Sequence, residues 1–173
     1  MEVNMEHSLP IISSYRINEK TLYLRPYVVK GKKAICTYVV ETNNQFIVNN
    51  TPMNILKLNS RLAFDNYGTV FKQSKQTLSS GRMIPLVMSI HIPITVFPVG
   101  GQVHKHECTY IVNERINRVL KTAKGCDIIF WNQTILKLDV EKSLILRQRT
   151  RSYTVLGSII ANKMQTGALP KLA

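Results

Sequence analysis

The sequence has 173 residues, of which 45% are hydrophobic and 19% are charged. A chain of this length and composition is expected to fold as one domain, and extensive disorder is excluded. The charge is less ordinary, because 23 Lys and Arg side chains stand against 10 Asp and Glu, a net charge of +13. We predict a single domain over residues 1–173, with flexible ends at 1–14 and 162–173.

The positive charge is concentrated in the second half of the chain. Residues 61–173 carry sixteen basic and six acidic side chains, and the segments 66–106 and 142–173 contain no Asp or Glu. Such one-signed segments favour polyanions, because basic side chains neutralise phosphates and release condensed counterions. The alternative is a basic protein with no nucleic-acid partner, and charge alone separates neither these two cases nor DNA from RNA.

The cysteine pattern and the hydropathy predict a cytoplasmic protein with no membrane segment. Three widely spaced cysteines, an odd number, are typical of reduced thiols in a cytoplasm. The N-terminal stretch is acidic and polar, unlike a secretory or lipidation signal. The longest apolar stretch, residues 84–99, is interrupted by three prolines and a histidine and is too short to cross a bilayer.

The first half of the chain is predicted to form mainly short strands. Residues 21–29 and 34–41 are rich in β-branched and aromatic side chains, and the glycine-containing link between them indicates a hairpin. Residues 45–50 suggest a third strand, and the spacing of apolar residues after a Thr-Pro pair indicates a short helix over 51–64. Residues 65–82 are polar and rich in Ser, Thr, Gly and Lys, so we interpret them as an exposed loop or mobile segment.

The second half begins with further strands. Residues 83–90 and 94–99 have strand composition with prolines at their borders. Residues 107–121 are ambiguous, because their alternation fits a strand while their apolar spacing fits a helix. Residues 126–131 and 134–140, separated by a short polar turn, predict a second hairpin.

A C-terminal helix is predicted from Ser143, a candidate N-cap, to about Lys163. Arg147, Arg149 and Arg151 alternate there, which also fits a strand, but the surrounding apolar residues favour the helix. On a helical wheel Arg147 and Arg151 lie on the exposed side, whereas Arg149 falls in a broad apolar sector and is expected to be half-buried with a partner. The width of that sector suggests a partner subunit. The order of elements predicts the α+β class, a single β-rich domain of antiparallel hairpins with a C-terminal helix.

The sequence contains one candidate set of metal ligands and no catalytic motif. His104, His106 and Cys108 would share one face of a strand, and imidazole and thiolate are good zinc ligands. A fourth ligand is missing unless folding brings Cys126 alongside, and a polar loop leading into a strand is the simpler interpretation. We therefore expect no metal and no cofactor. Because no phosphate-binding loop or nucleophile motif occurs, we also expect no enzymatic activity.

Four segments in a fixed order hold the most distinctive motifs of the chain, namely 54–72, 83–99, 107–119 and 127–151. Their main features are Phe97-Pro98 after a β-branched strand, a Cys-x-aromatic-Ile run from Cys108, and a hairpin–Ser–helix end. This series resembles the ComK-type competence transcription factors of Gram-positive bacteria, over about residues 15–156. The resemblance implies a cytoplasmic activator of DNA-uptake genes. It also implies an oligomer that binds paired A/T-rich boxes of double-stranded DNA largely through the minor groove.

The sequence departs from the family pattern in three places, so we interpret it as a divergent member. ComK-type proteins often carry Tyr-x-Gly-Arg-Lys, whereas here Tyr67 precedes Gly68 with no arginine and the lysine is displaced to Lys72. Tyr110 stands where a tryptophan is common, and the tail after the helix is shorter than in members that carry a site for a proteolysis adaptor, a candidate partner. Two alternatives follow: a protein-interaction module or degenerate paralogue without productive DNA binding, and a non-specific RNA binder.

The basic residues fall into three groups of candidate DNA contacts. The chain shows no zinc finger, basic zipper, RNP signature or helix-turn-helix pair, so contacts would come from loops, strands or one helix. Minor-groove or backbone binding fits this, because arginines entering a narrow A-tract groove need no recognition helix. An ordinary solvated surface is the alternative. The candidates are Lys72, Lys75 and Arg82 in the central segment, Arg115, Arg118, Lys121 and Lys124 before a glycine turn, and Arg147 and Arg151 in the C-terminal helix.

Overall fold

The computed structural model describes residues 9–29, 34–63, 66–79, 82–100 and 108–166. Over these ranges the chain forms ten strands, arranged in two sheets, and three helices. The predicted α+β class, with antiparallel hairpins and a C-terminal helix, is confirmed. None of the helices in the described ranges is both long and apolar enough to span a membrane.

Seven strands form the larger sheet: β1 Ile11–Ile12, β2 Thr21–Val28, β3 Ile35–Glu41, β4 Gln45–Val48, β5 Leu86–Ser89, β6 Ile94–Val99 and β7 Thr109–Val112. Their order is β1-β4-β3-β2-β7-β6-β5. The predicted first hairpin is β2–β3, paired from Thr21 opposite Glu41 to Val28 opposite Ile35, and the predicted third strand is β4. All neighbours are antiparallel except β1 and β4.

Three strands form the smaller sheet: β8 Ile116–Thr122, β9 Gly125–Phe130 and β10 Ile135–Leu138, in the order β10-β9-β8. The ambiguous segment 107–121 therefore contains two strands, β7 and β8, separated by a 3-10 turn over Asn113–Arg115. The predicted second hairpin is β9–β10. Gly125, at φ 145°, starts β9 so close to the end of β10 that a Cβ there would overlap the Leu138 carbonyl oxygen.

The three helices are α1 Pro52–Ala63, α2 Tyr67–Leu78 and α3 Lys142–Gln165. The predicted helix over 51–64 is α1, which Pro52 opens and which Thr51 caps by accepting a hydrogen bond from the Asn54 amide at 3.2 Å. The side chain of Asn59 on α1 accepts from the Ile17 amide at 2.8 Å and donates to the Tyr15 carbonyl at 3.0 Å. This amide fixes the segment before β2 against the helix.

The prediction that residues 65–82 form an exposed loop is wrong, because α2 occupies most of this segment. The Asn66 side chain caps the helix by accepting from the Thr69 amide at 2.9 Å. Val70 is fully buried, and Tyr67 and Phe71 stack one turn apart with ring centroids 5.9 Å apart. Buried Ser74 stands at the next position of the inner face. This polar residue conceals the helical period in the sequence.

The predicted C-terminal helix is confirmed, and its 24 residues extend over about 36 Å. Its predicted N-cap is wrong. Glu141 is the N-cap residue, and Ser143 lies inside the first turn, where its hydroxyl donates to the Glu141 carboxylate at 3.0 Å. The side chains of α3 that face the protein are Ile145, Gln148, Ser152, Val155, Leu156 and Ile159.

The large sheet lies between two layers. On one face its side chains pack with the inner side of the small sheet and with Ile145 at the start of α3. On the other face they pack with α1 and α2, through residues such as Leu56 and Val70. The second half of α3 packs on Val87 of β5 and on Leu78 at the end of α2. Helix α3 therefore covers the β5 edge of the large sheet and links the two layers, which protects an edge strand from unwanted pairing.

Candidate nucleic-acid interface

The three alternating arginines of α3 have three different environments. Arg147 is exposed, as predicted. Arg149 is half-buried, and its guanidinium donates to the Asn113 side-chain oxygen and to the Ile116 carbonyl, both at 3.4 Å. The prediction that Arg149 is part-buried with a partner is therefore confirmed. Its contacts attach α3 to the 3-10 turn and to the start of β8.

Arg151 is half-buried, so the prediction that it is exposed was wrong. One nitrogen of its guanidinium donates to the Gln148 side-chain oxygen at 3.1 Å, and another donates to the Arg82 carbonyl at 3.0 Å. These two bonds hold the Arg151 side chain between α3 and the segment that leads into β5. An arginine held in this way loses less conformational entropy when it binds an anion than a freely moving side chain does.

Gln148 is the residue that positions Arg151, and the sequence reasoning missed it. It is buried, and its side-chain nitrogen donates to the Met83 carbonyl at 2.8 Å and to the Pro98 carbonyl at 3.3 Å. With the nitrogen committed to these carbonyls, the oxygen is left to accept from Arg151. The available signal was an amide in the middle of the apolar sector of the helical wheel, since a buried polar group needs hydrogen-bond partners.

The charge of Arg147 acts on Arg151, and Arg151 bonds to the backbone carbonyl of Arg82 in the segment before β5; we call these three residues the arginine corner. Burial lowers the pKa of the Arg151 guanidinium, and the like charge of Arg147 lowers it further. Arginine nevertheless stays protonated in proteins. The corner therefore concentrates positive charge at one place, and it is suited to bind an anionic oxygen such as that of a phosphate.

The second predicted group lies around the small sheet. Arg115 ends the 3-10 turn, Arg118 and Lys121 are exposed on β8, and Lys124 is exposed in the turn between β8 and β9. The register of β8 against β9 is irregular between Ile116 and Arg118. Through Arg149, which contacts Ile116, this group adjoins the arginine-bearing half of α3.

Two members of the first predicted group, Lys72 and Lys75, lie in another layer of the molecule from its third member, Arg82. Lys72 and Lys75 are exposed on α2, which packs on the face of the large sheet opposite to the small sheet. The end of α2 approaches the second half of α3, where the Thr77 hydroxyl donates to the Ser158 oxygen at 3.2 Å. The structure thus brings Arg82 and Arg151 together and does not bring the α2 lysines to the small sheet.

The candidate metal site lies mostly outside the described residues, since His104 and His106 are not among them. Cys108 is buried, and its thiol donates to the Gly100 carbonyl at 3.5 Å. The part of the chain that the structure describes holds no group of three His, Cys, Asp or Glu residues able to bind a metal ion.

Glu114 is a half-buried carboxylate whose hydrogen bonds are to the protein itself. Its two oxygens accept from the Thr95 amide at 2.8 Å and from the Thr95 hydroxyl at 2.7 Å. Burial raises the pKa of Glu114, and the Thr95 bonds oppose that rise. Its hydrogen bonds connect the 3-10 turn to the start of β6, which keeps Arg115 in place beside the small sheet.

Comparison with known proteins adds the family. The model of the ComK protein family matches residues 12–164, most of the chain. The chain belongs to the ComK family. This is a family of transcription factors and not of enzymes, associated with competence. Neither the curated proteins nor the solved structures contain a match to this ComK-family chain.

Proposed function

We propose that this ComK-family chain is a DNA-binding transcriptional activator of competence genes. It acts in the cytoplasm as one DNA-binding domain and recognises A/T-rich boxes through the minor groove and the phosphate backbone. The observation that carries the proposal is the arginine corner, because a buried glutamine there positions Arg151 beside a second arginine. Because the neutral Gln148 amide orients Arg151 without neutralising its charge, the guanidinium can still bind an anionic ligand such as a phosphate.

The proposed contacts differ in weight. Arg151 is the best-ordered of the proposed contacts, and Arg147 and Arg82 are exposed beside it. The small-sheet group of Arg115, Arg118, Lys121 and Lys124 is the neighbour of this corner along α3. Lys72 and Lys75 lie in a different layer, so they contact the same duplex only if it bends around the α3 edge. Bending of DNA is common among proteins that bind the minor groove.

A gel mobility-shift titration tests the proposal. The full chain is titrated at physiological salt with a duplex that carries A/T-rich boxes and with a G/C-rich duplex of equal length. We expect tighter binding to the A/T-rich duplex, by tenfold or more, and equal affinities would refute the proposal. Arg151→Ala should weaken binding, whereas Arg61→Ala, which removes an exposed arginine from α1, is the matched control and should not.

A second candidate function is a protein-interaction module. It is favoured by Leu146 and Tyr153, large apolar side chains that α3 leaves 44% and 51% exposed. The same strip is our proposed contact for a homo-oligomer, and the proteolysis adaptor remains a candidate partner from the family resemblance alone. Sedimentation of the chain with and without DNA separates the cases. A stoichiometric protein complex with no DNA retention would favour the module, and competition by structured RNA would favour an RNA binder.

A further inference from the structure

The small sheet has one face on the core and one face toward solvent, which we call the outer face. Val119, Ile128 and Leu136 lie side by side on the core face, and all three are buried. Successive side chains point to opposite sides of a strand, so the alternate positions form the outer face. These are Arg118 and Leu120 on β8, Asp127 and Ile129 on β9, and Ile135 and Lys137 on β10, with Trp131 directly after β9.

Trp131 is an exposed aromatic residue whose backbone is held in place. Its side chain is 65% exposed, the highest value among the large hydrophobic residues in the described ranges. Its amide donates to the Arg115 carbonyl at 3.1 Å, and the neighbouring Asn132 side chain donates to the Thr42 carbonyl at 2.8 Å. Trp131 is therefore the first residue of a hydrogen-bonded turn between β9 and β10, in which the Gln133 amide donates to the Phe130 carbonyl at 2.9 Å.

The apolar side chains of the outer face form a group. Leu120 and Ile135 lie on the two strands that flank β9, and they are 42% and 51% exposed. Single exposed hydrophobic residues are normal, but three on one face of a three-stranded sheet, one of them a tryptophan, mark a binding surface. Ile129, which lies between them on β9, is only 6% exposed, so the outer face is a continuous apolar surface whose centre is covered and whose margins are exposed.

Cations flank this apolar group on both sides. Arg118 on β8 lies opposite Ile129, Lys137 on β10 lies opposite Asp127, and strand spacing separates β8 from β10 by about 10 Å. Arg115 precedes β8 in the 3-10 turn. Within the described ranges the side chains of these three residues form no ion pair or hydrogen bond, and Nε of Arg115 is buried without a partner. Asp127 is the one acidic residue of the outer face.

The arrangement is complementary to a DNA duplex. A second copy of the chain would bring two positively charged rims together, which is unfavourable. A minor groove instead has a phosphate backbone on each side and stacked base pairs between them, and apolar side chains insert between such pairs as wedges that kink the duplex. Sheets are one of the elements that read DNA grooves.

We propose that the outer face is a minor-groove contact in which Trp131 inserts between base pairs. Arg118 and Lys137 then contact the phosphates of the two strands, and Leu120 and Ile135 pack against the groove beside the tryptophan. The inference rests on the proposed function, to which it adds a second contact surface and a mode of deforming the DNA.

The test uses Trp131 itself, because it is the only tryptophan in the chain. The full chain is titrated with an end-labelled A/T-rich duplex while the anisotropy of the label and the tryptophan emission are recorded together, with acrylamide as a neutral quencher. We expect binding to reduce acrylamide quenching severalfold and to lower the emission through stacking. Saturated anisotropy with unchanged quenching would overturn the wedge and leave the proposed function intact. An anisotropy that never rises would overturn both.

Variants give an independent measurement. Trp131→Ala should weaken duplex binding by about tenfold or more, which is the usual effect of removing one aromatic–base contact, and Trp131→Phe should keep most of the affinity. A fluorescent adenine analogue at a central TA step should brighten on binding the parent protein and not the alanine variant. Leu58→Ala, at a large apolar residue that is 48% exposed on α1, is the matched control and should keep full DNA affinity. Full DNA affinity in a folded Trp131→Ala variant would contradict the proposal. A Trp131→Ala variant that loses a complex between protein chains but keeps its DNA affinity would contradict it too.

Discussion

The arginine corner and the outer face of the small sheet are both positively charged, but they are built differently. In the corner, Arg151 is held by the Gln148 side chain and by the Arg82 carbonyl. On the outer face, Arg115, Arg118 and Lys137 have no such bonds from their side chains to the described residues, and their neighbour is an exposed tryptophan. The comparison teaches that Arg151 of the corner is ordered before it meets an anion, whereas the outer face presents apolar surface and cations that a ligand must order.

The difference has a consequence for recognition. An ordered arginine gives a directional contact with a phosphate at little entropic cost. An exposed tryptophan between two rows of cations responds instead to the shape and deformability of the duplex. Helix α3 connects the two regions: it carries Arg151 of the corner, and its Arg149 bonds to the 3-10 turn and to the first residue of β8.

The largest effect is expected from Gly125→Ala, which disrupts the outer face and not the corner. The added Cβ would overlap the Leu138 carbonyl oxygen and lie 2.9 Å from the Val140 nitrogen, in a backbone conformation that favours glycine. We expect a loss of about 3 kcal/mol or more in the free energy of unfolding, measured with urea. Gly157→Ala is the control, because it adds a Cβ to open space on α3 and should stabilise the protein by about 0.5–1 kcal/mol. Equal stabilities of the two variants would contradict this account.

The next largest effect is expected from Gln148→Leu, which disrupts the corner and not the outer face. The Met83 and Pro98 carbonyls lose a donor, so the free energy of unfolding should fall by about 2 kcal/mol. Because Arg151 also loses its anchor, DNA affinity should fall even at temperatures where the variant is folded. Thr150→Ala, at an exposed position on the same helix, should change stability by less than about 0.5 kcal/mol. An unchanged DNA affinity in Gln148→Leu would show that the ordered arginine is not needed.

Single arginine substitutions should sharpen the comparison through the salt dependence of DNA binding. Arg151→Ala and Arg118→Ala each remove one proposed phosphate contact, so the slope of log K against log salt should become shallower by about 0.9 in each case. The double variant should lose about twice as much. A slope that changes in one variant alone would assign phosphate binding to that region and remove the other from the interface.

The smallest effect is expected at Glu114, whose bonds to Thr95 attach the 3-10 turn before β8 to the large sheet. Burial raises its pKa in the folded state, so between neutral pH and its ordinary value of 4.5 the folded protein binds the proton more tightly than the unfolded chain does. The contribution of Glu114 to stability therefore increases as the pH falls through this window. Glu114→Gln should be the less pH-dependent protein when urea unfolding is compared from pH 7 to 4.5. Identical pH profiles of parent and variant would show that Glu114 is not perturbed.

Much of the fold followed from local pattern. The β2–β3 and β9–β10 hairpins, α1 and α3 were predicted because each is a strong local signal of alternation, capping or helical spacing. Helix α2 was missed because Ser74 takes an apolar position on its inner face and the segment is otherwise polar. Its helical state depends on packing with α1, β5 and α3, which no local pattern contains.

The sequence by itself determined the family, the α+β class and the positive charge of the second half. It also predicted the partial burial of Arg149, which lies in the apolar sector of α3, whereas the partial burial of Arg151 depends on the Arg82 carbonyl and was missed. Only the tertiary structure decided that Gln148 orients Arg151 and that Trp131 lies exposed between two rows of cations. These features depend on contacts of α3 with residues 82–83 and of β8 with β9. Because packing of the whole core sets where these segments lie relative to one another, no local sequence pattern contains this information.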